Sequence, residues 1–241
     1  MLMRVLLLII PVFLELTAIS GAQVPDMMKR EDFRTSVTLD VDMHYWIYLP
    51  PDYEQRDDWP LLVFLHGAGE RGSDMEKVKV HGPPKLVAEG KYFPFVIVSP
   101  QCSRFFWWYA DPVAELTRKV ANSYKIDKDR IYLTGLSMGG YGTWATVAKH
   151  PDLYAAIAPI CGGGDPTKVA AHQHVPTWTF HGARDKVVKL KESEAMIEAL
   201  TAAGAQPNFT VYPEAGHDSW TETYENPKLY EWFLSHSKKS P

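Results

Sequence analysis

"IYLTGLSMGGYGTWATVAKH", residues 131–150, decides how the rest of the chain reads. Apolar and β-branched residues lead into a serine set among glycines, and an apolar-rich segment of helical character follows. Strand, tight turn and helix in that order lift the side chain at the turn clear of the backbone. Here that side chain is the hydroxyl of Ser137, within Gly135-Leu136-Ser137-Met138-Gly139. Glycines belong beside it because the turn brings backbone segments together where a Cβ would clash. The bare pentapeptide G-x-S-x-G would arise by chance in roughly one chain in twenty, so its context carries the weight. Either the turn is a packing device or it presents Ser137 as a nucleophile.

Outward from this stretch, further continuous apolar runs end in glycine or proline. They are "PLLVFLHG" (60–67), "FPFVIVSP" (93–100), "YAAIAPICG" (154–162), "VPTWTFHG" (175–182) and "NFTVYP" (208–213). Unbroken runs of this length read as strands buried on both faces. Between them lie helical segments: 111–124 with Asp111 as its cap, 138–150, and 191–204 ending at Gly204. Upstream, "TSVTL" (35–39) and "HYWIYLP" (44–50) flank a turn and read as an antiparallel hairpin. The alternation predicts an α/β fold with a mostly parallel central sheet and helices on both faces.

The chain has 241 residues, 46% hydrophobic and 22% charged, which suits one domain of this class better than two. A net charge of −4 and the lack of a long basic run argue against a nucleic-acid partner. Residues 1–22 follow a different plan: Arg4, an apolar core over 5–14, then Ser20 and Ala22 before a cleavage point. That is the layout of a signal peptide, and Pro11 and Glu15 interrupt it as a membrane span. The expected organisation is a signal peptide over 1–22 and a single catalytic domain over 23–241, secreted or periplasmic. No membrane contact is expected beyond the signal. Cys102 and Cys161 follow strands that are not neighbours, so no disulfide is expected between them.

Chemistry in such sheets gathers at the carboxyl ends of the strands. A serine hydroxyl needs a base to take its proton, and imidazole titrates in the right range. His217, in "EAGHDSW" after the last strand, sits in a small-residue loop able to reach Ser137. His66 and His181 each precede a glycine at a strand end and read as turn-shaping residues. The pair His172 and His174 lacks a third ligand, so no metal and no cofactor is expected. Asp185, in "FHGARDKVV", would orient His217, with Asp165 as the competing acid. The order Ser137, Asp185, His217 is the nucleophile–acid–base order of the α/β-hydrolase fold. Negative charge built on a carbonyl oxygen needs two aimed N–H donors. Met138 supplies one and the "HGAG" loop the other, through Ala68 with Gly67 and Gly69 as neighbouring registers.

Several longer motifs, "FLHGAGERGSD", "LTGLSMGGYGTW", "APICGGGD", "GARDKVV" and "YPEAGHDSW", resemble a secreted α/β-hydrolase family. Its members go by the names of predicted peptidases and phospholipase/carboxylesterases, and are akin to feruloyl esterases, acetylxylan esterases and polyhydroxybutyrate depolymerases. The likeness runs from about Thr35 to Phe233 and implies the same three residues as triad. It is silent on substrate. "QCSRFF" departs from it by lacking a proline after Cys102. Only about a dozen residues separate the runs 154–162 and 175–182, too few for a lid domain, so an open site is expected. Trp108 and Trp220 are the candidate walls of a substrate pocket. Arg71, Arg104 and Arg184 are weaker candidates for meeting an acidic substrate group. The expected activity is that of a serine esterase on small or polymer-linked esters, with a serine peptidase as the alternative. Oligomeric state is not legible in these residues.

Overall fold

A computed structural model of the chain describes residues 40–238. The segment 1–22 and the strand expected over 35–39 lie outside the described residues. The strands are β1 (Tyr45–Tyr48), β2 (Trp59–Leu65), β3 (Val96–Pro100), β4 (Ile126–Leu136), β5 (Ala156–Ile160), β6 (Trp178–Gly182) and β7 (Asn208–Tyr212). They form one sheet in the order β1-β3-β2-β4-β5-β6-β7. β1 runs antiparallel to β3, and all other neighbours are parallel. Each apolar run named above contributes one of these strands.

Alternation along β2 explains the two-sided core. Leu61, Val63 and Leu65 point into one apolar cluster, Leu62 and Phe64 into the other, and all five are fully buried. The first cluster is closed by α2 (Ala110–Ser123), α3 (Met138–Lys149) and α4 (Lys191–Ala202). The second is closed by α1 (Gly82–Ala88), α5 (Trp220–Glu225) and α6 (Pro227–Leu234). Within α2, Val113, Leu116, Thr117 and Val120 are buried at helical spacing, which turns one stripe to the sheet.

One sequence expectation changes here. The capping position of α2 is Tyr109, with no side-chain bond, while Asp111 lies inside the first turn. Its carboxylate instead takes hydrogen bonds from Lys149 Nζ and His150 Nε2, at 2.5 and 2.8 Å, tying α2 to the end of α3. A carboxylate there still faces the positive end of the helix. Helices α1, α5 and α6 were not read from the sequence. α1 opens on Gly82-Pro83-Pro84, where prolines are tolerated because first-turn N–H groups have no helical acceptor.

The sheet order locates the site. From β2 the chain crosses to β3 on one side, then returns to β4 on the other. The crevice at such a reversal opens at the carboxyl ends of β2 and β4. Between β5 and β6 the chain carries only a 3-10 turn, Pro166–Ala171, so no lid covers that crevice among the described residues.

Candidate active site

β4 ends at Leu136 and α3 begins at Met138, leaving Ser137 alone at the junction. Its backbone is held at φ 52° and ψ −113°, a left-handed conformation for a residue with a side chain. Strain of this kind costs about 1–3 kcal/mol and persists only where the surroundings enforce it. They do so here through Ser137 N–H, which donates to Ile160 O at 2.9 Å, and Ser137 O, which accepts from Tyr141 N at 3.0 Å. Gly139 is required by packing, since any Cβ on it would overlap the Leu65 carbonyl.

His217 arrives from the loop after β7. Its Nε2 lies 3.0 Å from Ser137 Oγ, and its Nδ1 lies 2.7 Å from Asp185 Oδ2. A carboxylate can only accept, so Nδ1 carries the proton and Nε2 is free to receive the serine's. Gly182, at the end of β6, makes this meeting possible. A Cβ there would strike the carbonyls of Ala215 and Gly216, the residues that carry His217 across. The same contact is fixed by Arg184 N–H donating to Ala215 O at 3.0 Å.

Asp185 is buried and held from both sides. Oδ1 accepts from the N–H groups of Val187 and Val188 at 2.8 and 3.0 Å. Oδ2 accepts from His217 and also faces His181 Nε2 at 3.2 Å. Burial alone would raise this carboxyl's pKa. The bonds from His217, Val187 and Val188, with the imidazole's charge, outweigh it and hold the pKa below the usual carboxylate range. The competing acid, Asp165, is exposed and occupied elsewhere: its Oδ1 caps the 3-10 turn through Thr167.

Sequence reasoning assigned His181 to turn-shaping and considered Cys161 only for a disulfide. His181 is fully buried beside Asp185, with Nδ1 2.7 Å from Ser193 Oγ and Nε2 3.0 Å from Val188 O. Its position four residues before Asp185, at the same strand end, was the available signal. Cys161 adopts φ 40°, and its sulfur lies within 4.8 Å of the nearest polar atoms of Asp185 and His217. Burial pushes its thiol up to about 12, so it brings no second negative charge to the carboxylate. Cys102 and Cys161 are both free, as expected.

Met138 opens α3 and Ala68 opens the 3-10 turn Ala68–Glu70. N–H groups in a first turn have no acceptor within their own helix, so both are available donors. They follow β4 and β2, which are paired through Leu65 and Gly135, so both stand on the same rim.

The two tryptophans part company. Trp108 is only 2% exposed, and its indole N–H donates to His66 O at 2.9 Å. It is a core residue beneath the rim rather than an exposed pocket wall, and its neighbour Trp107, 47% exposed, takes the outward position. Trp220 stands edge-on to His217, with ring centroids 5.1 Å apart, and also packs on His81 at 5.3 Å. Arg184 pairs with Glu214, and Arg71 is tied to the carbonyls of Ala68 and Phe106 at 3.1 and 3.3 Å.

Residues 110–231 match the sequence model of the Dienelactone hydrolase family. The chain is 25% identical over 214 residues to the bifunctional acetylxylan esterase/xylanase XynS20E of Neocallimastix patriciarum, covering 83% of this chain and 29% of that protein. It therefore spans less than a third of that relative's length. A crystal structure of a thermostable esterase superposes with a TM-score of 0.72 at 34% identity, over 82% of this chain and 60% of the other. The Pyrococcus horikoshii acylaminoacyl peptidase superposes at 0.63 with 17% identity, over 85% of this chain and 41% of its own. At that identity the likeness concerns the fold alone.

Proposed function

The chain belongs to the dienelactone hydrolase family, and from that premise we propose that it is an exported serine esterase working through an acyl-enzyme. The observation that carries this reading is the unbroken hydrogen-bonded line from Asp185 through His217 to Ser137. Ser137 Oγ attacks the ester carbonyl while its proton passes to His217 Nε2. Asp185 holds the resulting imidazolium, and the oxyanion faces the N–H groups of Ala68 and Met138. Collapse of the tetrahedral species expels the alcohol, which takes the proton from His217. Water then repeats the sequence on the acyl group and releases the acid. The uncovered crevice suits short acyl, aryl or carbohydrate-linked esters better than a substrate that must be enclosed.

Labelling with a fluorophosphonate tests the nucleophile. We expect one adduct, on Ser137, with loss of p-nitrophenyl acetate turnover, whereas Ser137→Ala should neither take the label nor turn over the ester. Folded wild-type protein that neither labels nor turns over the ester would sink the proposal. Turnover of peptide anilides without turnover of esters would transfer the assignment to a peptidase. Export is tested by N-terminal sequencing of protein recovered outside the cytoplasm, which should begin at Gln23.

A further inference from the structure

His181, near the end of β6, is fully buried, and both of its ring nitrogens face oxygen. Nδ1 lies 2.7 Å from Oγ of Ser193, in the first turn of α4. That hydroxyl has a single proton, which it donates to Gly162 O at 2.9 Å. Ser193 thus has no proton left for the imidazole, and Nδ1 must supply one. Nε2 lies 3.0 Å from Val188 O and 3.2 Å from Oδ2 of the ionised Asp185, and neither oxygen carries a proton. Nε2 must supply one as well. A neutral ring would leave one of its nitrogens lone pair to lone pair against a buried oxygen.

Burial opposes a cation, so other contacts must replace water. The side chains of His181 and Asp185 are both fully enclosed and touch, which buries opposite charges together. The remaining valences of the carboxylate are filled by Val187 and Val188 N–H and by His217 Nδ1. None of the other titratable groups around the pair is placed to take a proton from His181. Burial pushes the Cys161 thiol up to about 12 and keeps it neutral. Glu192 lies beside Gly163, and Asp218 accepts from Thr221. Arg184 pairs with Glu214, while Lys186, Lys189 and Lys191 are exposed.

We infer that His181 is a buried imidazolium sharing Asp185 with His217, and that its fixed charge extends catalysis toward acid. It is a positioning residue. Nε2 holds Oδ2 where His217 needs an acceptor, and the cation offsets part of the carboxylate's pull on a proton. His217 then takes up a solvent proton less readily and stays a free base in more acidic solution. This catalytic consequence rests on the serine-esterase reading above; the charge of His181 does not. NMR of the intact protein with ¹⁵N-labelled histidine, at pH 8, reads that charge. We expect one ring with protons on both nitrogens, replaced by a neutral ring in Ser193→Ala, which removes the Nδ1 acceptor. No such ring, or one that Ser193→Ala leaves unmoved, would overturn the inference. His181→Gln keeps an N–H donor for Asp185 and removes the charge. Its kcat/KM on p-nitrophenyl acetate should fall about threefold more at pH 5.5 than at pH 8, as the acid limb moves up by about half a pH unit. Ser193→Ala should move the limb the same way, and serves if His181→Gln fails to fold. A role in packing alone would lower both ends equally, and that result would overturn the inference. Wild-type protein inactive on the ester would count against the esterase reading, while the NMR result would still decide the charge.

Discussion

At the residue scale, the behaviour of Asp185 is set by competition between burial and hydrogen bonding. A carboxylate with little solvent contact is stable only when donors replace water, and Val187, Val188 and His217 supply them. The negative charge does more than steady the imidazolium: it dictates that His217 carries its proton on Nδ1. Asp185→Asn keeps the shape but offers an N–H where an acceptor is needed, favouring the wrong tautomer. We expect kcat on p-nitrophenyl acetate to fall about 10⁴-fold with KM little changed. A loss below tenfold would mean that another group orients His217. Which aspartate does this was open in the sequence, because Asp165 and Asp185 both follow strand ends. Their surroundings separate them: one caps a turn in solvent, the other is enclosed with two imidazoles. Trp108 shows the opposite limit, since adjacent aromatics in a loop do not reveal which ring turns inward.

At the scale of elements, the strand–turn–helix around Ser137 depends on how closely α3 can approach β2. The Leu65 carbonyl occupies the space that a side chain at Gly139 would need. Gly139→Ala must therefore push the helix off the sheet, and we expect a loss of about 3 kcal/mol or more in urea unfolding. Gly216→Ala is the control, because a Cβ there meets nothing within 4 Å. It should stay within about 0.5 kcal/mol of the parent. Equal effects from the two substitutions would refute the packing argument. Strands were the most legible elements, since burial on both faces demands unbroken apolar runs. The helices over 110–123, 138–149 and 191–202 were legible from their spacing. Helices α1, α5 and α6 were not, because each has eight residues or fewer and too few turns to show a period.

At the scale of the whole molecule, the carboxyl-end rim is also where the fold is sensitive to acid. His66 is fully buried, donates from Nδ1 to Gly67 O at 2.6 Å and accepts at Nε2 from Cys102 N–H at 3.0 Å. Burial, aided by the charge of Arg71 and opposed by the Gly67 bond, lowers its pKa from the usual 6.5 to about 4. Above pH 6.5 the imidazole is neutral in both folded and unfolded chains, and the full stability is present. Between pH 6.5 and 4 only the unfolded chain takes up the proton, so stability falls with pH, by about 3 kcal/mol in all. Asp185, with its pKa lowered, adds a further loss in more acidic solution, as its folded form resists protonation. Urea unfolding at pH 7, 5.5 and 4 should show the decline, and His66→Gln should flatten its upper part. A profile flat from pH 7 to 4 in the parent protein would contradict a buried neutral His66.

By itself the sequence determined the class of fold, most of the parallel strands, and the placing of Ser137, Asp185 and His217 each just past a strand end. Those features are local: apolar runs, turn residues and chain order carry them. Tertiary structure alone decided that β1 lies beside β3, that Asp185 rather than Asp165 meets His217, that His181 backs the same carboxylate, and that Trp108 is buried while Trp107 is not. Each depends on which distant segments come within a few ångströms of each other. Packing and hydrogen bonding between strand ends settle that, and the spacing along the chain hints at it only for His181, four residues before Asp185.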